Sequence, residues 1–198
     1  MVAQALGWLL ALVFTALMAL QAWYFGHVVW WTQVDPESTA FMRAEHRRLR
    51  EIDPKAEIRF TWVPYERISI HLKRAVIAAE DANFTDHDGV DWDAVERAWQ
   101  RNQRDGRVVW GGSTITMQLA KNLFLSGERS YLRKGQELVI TWMLEAVMSK
   151  RRILEIYLNV VEWGEGVFGA EAAARHHYSV SAAVIGPAHA ARLAAMLP

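Results

Sequence analysis

A mainly α-helical domain behind a single N-terminal transmembrane helix is the architecture this 198-residue chain predicts, on three observations. An overwhelmingly apolar run, Leu6 to Phe25, is roughly 20 residues long, enough at about 1.5 Å per helical residue to cross about 30 Å of hydrocarbon. All 22 Lys+Arg and all 22 Asp+Glu lie after Val34, so the chain is built for two solvents. Behind Val34, apolar residues recur at helical spacing in one segment after another, and only one short stretch alternates as a strand would.

The apolar run ends in Trp23, Tyr24, Trp30 and Trp31, rings that favour the headgroup region of a bilayer. A cleaved signal peptide or a buried core helix are the alternatives; the run is longer than a signal peptide needs and no clear A-x-A site follows it. Three parts are therefore expected: residues 1–34 as anchor and interfacial flank, 35–64 as a juxtamembrane linker, and 65–198 as the globular domain. No Lys or Arg precedes the span, whereas Arg43, Arg47, Arg48 and Arg50 follow it, which by the positive-inside rule favours a cytoplasmic domain; a large C-terminal domain translocates despite such charges.

Asp35-Pro36 breaks the run, and Ser38 is placed to cap a helix from Thr39 to Glu51 that Asp53-Pro54 ends. Residues 56–63 (AEIRFTWV) alternate apolar and polar and predict a strand before Pro64. Ser69 is placed to cap a helix over 69–81, with Leu72, Ala75, Val76 and Ala79 on one face. Further helical patterns cover 91–104, 114–124, 130–149, 150–162, 169–177 and 187–197, with no repeat and no low-complexity tract.

A formal net charge of zero removes the basic excess of a nucleic-acid binder, and the absence of Cys removes thiolate metal sites and a cysteine nucleophile. Gly164 to Gly169 spells G-x-G-x-x-G but follows a helical run, so it reads as a turn between helices and not as a dinucleotide site. Gly106 to Ser113 resembles a phosphate loop without its Lys. The acidic residues of 86–93 lack the order of a calcium loop, and His176-His177 stand too close in a helix to share a zinc ion.

Two constellations remain. In Glu80-Asp81-Ala82-Asn83-Phe84-x-x-His87-x-Gly89, Glu80 ends an apolar helix and enters a loop, a setting that suits a general base as well as a loop brace. In Arg133-Lys134-Gly135-Gln136-Glu137, two cations share a helical face with a carboxylate. On an exposed face that is an ion pair; in a cleft, with Lys121-Asn122 nearby, it offers three cations to a diphosphate.

Five motifs in order carry a family resemblance: EDANFTDHDG (80–89), GGSTITMQLAKN (111–122), RKGQE (133–137), KRRILEIYLN (150–159) and GEGVFGAEAAARHHY (164–178). The chain resembles the monofunctional biosynthetic peptidoglycan glycosyltransferases, the transglycosylase family shared with bifunctional penicillin-binding proteins, over the anchor and nearly all of residues 60–198. The resemblance implies a lysozyme-like domain on the extracytoplasmic side of the bacterial inner membrane, serving cell-wall biogenesis and cell shape. It implies polymerisation of lipid II into β-1,4 glycan, with undecaprenyl diphosphate leaving. Glu80 maps to the base that deprotonates the acceptor 4-hydroxyl. Glu137 maps to the second glutamate at the diphosphate, with a divalent cation, Mg or Mn, as implied cofactor. Lys121, Arg133 and Lys134 map to positions facing phosphates, and Ser113, Thr114, Thr116, Gln118 and Asn122 to the substrate-binding motif. Implied partners are lipid II, the growing lipid-linked glycan, the membrane and other cell-wall synthesis proteins, with no nucleic acid.

Three departures stand out. Met117 replaces the first glutamine of the family's TITQQ; His177, Tyr178 and Ser179 stand where Tyr-Phe-Gly is common; and the chain lacks the basic N-terminal flank and stops at Pro198, as expected of a truncated chain. The rival readings are a membrane-anchored lysozyme-like hydrolase, which has no use for three cations at a leaving group, and an inactive cell-wall scaffold. The segment Asp91 to Gly112, with Gly106, Gly111 and Gly112 as hinges, is expected to form a mobile wall that shields the base from water.

Overall fold

The computed structural model describes residues 2–107, 111–128 and 130–197. Helix α1 (Val2–Trp30) is one unbroken rod, and its stretch Gln4–Trp30 is long and apolar enough to cross a membrane. Among the described residues eight further α-helices follow: α2 (Ala40–Ile52), α3 (Ile70–Glu80), α4 (Trp92–Asp105), α5 (Ile115–Phe124), α6 (Tyr131–Val147), α7 (Lys150–Val160), α8 (Ala170–Tyr178) and α9 (Pro187–Ala194). The fold class is therefore mainly α, a helical domain behind one apolar N-terminal helix.

Helix starts follow local capping chemistry. Thr39, Ser69, Asp91, Thr114, Ser130 and Ser149 each accept a hydrogen bond from a first-turn backbone N–H. Each such cap is worth about 1 kcal/mol. Thr39, and not Ser38, caps α2, because its side chain reaches Met42 N at 3.1 Å.

At the centre α5 packs against α6 and α7, while α2 lies on α5 and α3 on α9. Ile115, Leu119 and Leu123 of α5 are essentially inaccessible to water. Each contributes about 1.5–3 kcal/mol by burial, which makes this ten-residue helix the hub of the core.

The strand expected over 56–63 shrinks to β1 (Arg59–Phe60), which pairs in parallel with β2 (Val167–Phe168). The buried Asn159 side chain does the work of a strand neighbour beyond it: Val63 N donates to its Oδ1 and its Nδ2 donates to Val63 O, both at 2.9 Å. Segment 35–64, expected as a linker, thus carries α2 and β1, both packed onto the domain. β2 sits inside the glycine segment 164–169, which is a turn joining α7 to α8.

Two backbone sites in this region have positive φ, one filled by glycine and one by serine. Gly169 has φ 85°, and a Cβ there would lie 2.5 Å from Asn159 O, so only glycine fits. Ser179, at a position where the family commonly has glycine, takes the left-handed conformation (φ 57°) that closes α8, and its side chain is exposed. Ser179→Gly is expected to raise stability by about 1 kcal/mol and Gly169→Ala to lower it by about 2 kcal/mol or more, read from denaturant midpoints at constant slope.

Candidate active site

Glu80 is the last residue of α3, where the chain leaves the helix beside a cavity of about 580 Å³. The cavity is walled by the end of α3, by α4 through Ala94, Arg97 and Arg101, and by the turn Gly111, Gly112, Ser113 and Thr114. Gln118 Nε2 donates to Glu80 Oε2 at 2.7 Å, and Tyr157 Oη donates to Gln118 Oε1 at 2.9 Å. Burial, with the charges of Glu80 and Asp81 adding to it, pushes the Tyr157 phenol far above its ordinary range. It therefore stays protonated as a donor, and that fixes which way the Gln118 amide points.

Asp81, next to Glu80, is buried and receives the backbone N–H of Ile115 at 3.0 Å and pairs with His87 Nε2 at 2.9 Å. It fastens the end of α3 to the start of α5, and so sets Glu80 against Gln118. A second layer lies beneath: Thr116 Oγ1 donates to Glu145 at 2.6 Å, and Lys150 Nζ donates to Glu145 at 2.8 Å and to His87 O at 2.6 Å.

The cations form an adjacent cluster. Glu137 is buried at 3% exposure and paired with both Arg133, at 2.7 Å, and Lys134. Lys134 Nζ also donates to Ser113 Oγ at 3.2 Å, which joins the cluster to the cavity rim. Burial lowers the Lys121 ammonium below the ordinary lysine range; the Arg133 and Lys134 charges add to this, and Glu137 and Glu80 oppose it.

Of the residues expected to form the site, Glu80 and Gln118 meet directly, and Ser113, Arg133, Lys134 and Glu137 form one network beside Lys121. Thr114 borders the cavity, but its hydroxyl caps α5 and donates to Gly89 O. Thr116 is turned into the buried Glu145 network, and Asn122 is 6% exposed and does not line the cavity. Thr116 lies on the face of α5 opposite Gln118, which is why its hydroxyl meets Glu145 and not the cavity. Met117 is 3% exposed on another face of α5, so the departure from glutamine falls on a packed position.

Both oxygens of Glu137 are occupied by cationic partners, and among the described residues no three His, Asp or Glu side chains gather at a metal-binding distance. The side chains do not fit a divalent cation held by Glu137.

Tyr157, Arg97 and Arg101 are not singled out by the sequence, and Asp81 stands in it only as the neighbour of Glu80. Arg97 and Arg101 lie four apart on α4, which was a legible amphipathic spacing, whereas Tyr157 and Asp81 are identified only by contacts across the chain. Within the expected mobile wall, residues 108–110 lie outside the described residues. Gly106 is the left-handed cap of α4. Gly112 is close-packed: a Cβ there would lie 2.8 Å from Val95 Cα, while Gly111 has open space. Gly112→Ala is expected to displace α4 and lower activity about tenfold or more, and Gly111→Ala to leave it within about twofold, measured as kcat/KM on lipid-linked substrate.

The transglycosylase family model matches residues 45–198. A biosynthetic peptidoglycan transglycosylase of Bordetella pertussis is 66% identical over 182 residues, covering 90% of this chain and 75% of that protein. Proteins of the same description from Azoarcus sp. (61% over 193 residues, 98% of this chain and 84% of the relative) and Janthinobacterium sp. (59% over 191 residues, 96% and 83%) are also similar. The motifs that frame the cavity lie within the matched region, and the chain belongs to the transglycosylase family.

Proposed function

We propose that the chain is a peptidoglycan glycosyltransferase that polymerises lipid II, with α1 as a single-pass anchor and the domain on the extracytoplasmic face. The observation that carries this reading is one site with two chemistries: a carboxylate oriented by Gln118 and Tyr157 at a cavity, and a cation cluster joined to its rim through Ser113. Glu80 takes the proton of the acceptor 4-hydroxyl as that oxygen bonds to the donor's anomeric carbon. The bond from that carbon to the diphosphate breaks, its electron pair leaves with undecaprenyl diphosphate, and an α-linked donor becomes a β-1,4 linkage. Lys121, Arg133 and Lys134 stabilise the charge on the leaving diphosphate. A hydrolase releasing a sugar has no such charge to bind. The α2 arginines stand close enough to the span to favour the cytoplasm, whereas the length of the domain behind them favours translocation regardless of charge.

With lipid II as sole substrate, β-1,4 polymer and released undecaprenyl diphosphate support the assignment, and cleavage of preformed glycan overturns it. Glu80→Gln is expected to slow polymerisation by about 10²- to 10⁴-fold with an unchanged fold, since the amide keeps the shape and loses the proton acceptor. Tyr157→Phe removes only the hydrogen bond that orients Gln118 and is expected to cost about fivefold, mainly in kcat.

A pH dependence follows from Lys121. Its ammonium, lowered by burial, loses its proton as pH rises earlier than an ordinary lysine does. KM for the donor is therefore expected to rise on that limb, and Lys121→Arg to move the rise to higher pH, because guanidinium does not titrate there. A limb that stays in place in the Lys121→Arg protein contradicts the assignment.

A further inference from the structure

Gln21 is an uncharged polar side chain in the largely apolar α1, and unlike Thr15 and His27, which bond to carbonyls of their own helix, it is satisfied by the globular domain. Its Nε2 donates to Gln136 Oε1 at 2.8 Å, and Gln136 Nε2 donates back to Gln21 Oε1 at 3.0 Å. Gln136 immediately precedes Glu137 on α6. Nearby, Phe124, the last residue of α5 and three beyond Lys121, is enclosed by Trp23, Tyr24 and Trp31, with ring centroids 5.9, 5.1 and 5.1 Å away. Tyr24 and Val28 are buried. Arg152 closes the joint by donating to Trp31 O at 3.0 Å and to Val34 O at 2.9 Å. The end of α1 thus touches both helices that carry the cation cluster.

The length of α1 agrees with this docking. Its 29 residues span about 43 Å, about 13 Å more than the hydrocarbon core of a bilayer. The stretch from Gln21 to Trp30, which holds the contacts of Gln21, Trp23 and Tyr24, is about 15 Å long, and those of Trp31 and Val34 lie just beyond it. The surplus of the anchor is the part that is docked, so the joint falls at headgroup level.

We propose that Gln21 and Gln136 are positioning residues: their amide pair locks the anchor to α6 and holds Lys121, Arg133 and Lys134 at the depth of a membrane-borne diphosphate. This rests on the readings that α1 spans a membrane and that the site takes a lipid diphosphate. The anchor is then part of the substrate site and more than a tether.

The chain has no Cys, so Gln21→Cys with Gln136→Cys supplies a single pair of thiols. The full chain is reconstituted in phospholipid vesicles and assayed on lipid II. With the thiols free, KM is expected to rise about 3- to 15-fold while kcat stays within about twofold, the range for an interhelical hydrogen-bonded pair. A short reducible bis-methanethiosulfonate cross-link returns KM to the parent value, and reduction raises it again, so each molecule serves as its own folding control. Gln21→Leu and Gln136→Leu each give the same rise, and together give no more, because either change breaks the pair. An unchanged KM with free thiols, additive losses in the Leu pair, or a cross-link that forms without restoring KM overturns the proposal. A parent protein that makes no polymer overturns the glycosyltransferase reading itself and the proposal with it.

Discussion

Asp81 carries a carboxylate nearly sealed from water, and the placement of the site depends on its two oxygens. One pairs with the His87 ring and the other receives the Ile115 N–H, so the negative charge sits against the first turn of α5, where the helix dipole favours it. The end of α3, the loop that follows it and the start of α5 are bound to a single group. Glu80 precedes Asp81 and Gln118 follows Ile115 by three residues, so this one constraint sets the Glu80 carboxylate against the amide that donates to it. Thr114 on Gly89 O, and Thr116, Glu145 and Lys150 beneath His87, hold the same loop from other sides. Such a network rigidifies when every member is satisfied and costs stability when one is not.

The cation cluster uses the opposite device. Glu137 is held between Arg133 and Lys134 as a resident counter-anion, which keeps two long side chains ordered before substrate arrives. Three cations against one carboxylate leave two positive charges in excess, opposite to a diphosphate diester with one negative charge per phosphate. Partial dehydration of Lys121 strengthens its attraction for an anion. Electrostatic complementarity to the leaving group is thereby present in the side chains themselves.

The two solvents of the chain meet at the end of α1. Tyr24 and Val28 belong to the domain's core, whereas the helix before them is bare, so apolar character alone does not separate anchor from domain. The exposed part presents apolar side chains outward and the buried part packs on Phe124 and α6. The 35–64 segment returns from this joint along α5 and closes on β2, which ties the membrane end of the molecule to its far side.

The sequence by itself determined the helical class, the long apolar N-terminal helix, the cap at Ser69 and the end of α3 at Glu80, because each depends on periodicity or on a residue next to a helix end. It also determined that Arg133, Lys134 and Glu137 share a helical face. Only the tertiary structure decided which residues of GGSTITMQLAKN reach the site: Gln118 and Ser113 do, and Thr116 and Met117 do not. Every residue of α5 is near the site in sequence, but its face is chosen by what α6 and α7 cover. Tyr157, Asp81 and the Gln21–Gln136 pair were illegible for the same reason, since hydrogen bonds between residues 34 to 115 positions apart leave no periodic trace. The strand expected over 56–63 was curtailed by its partner, because a ladder extends only as far as the second strand, and that strand is two residues long.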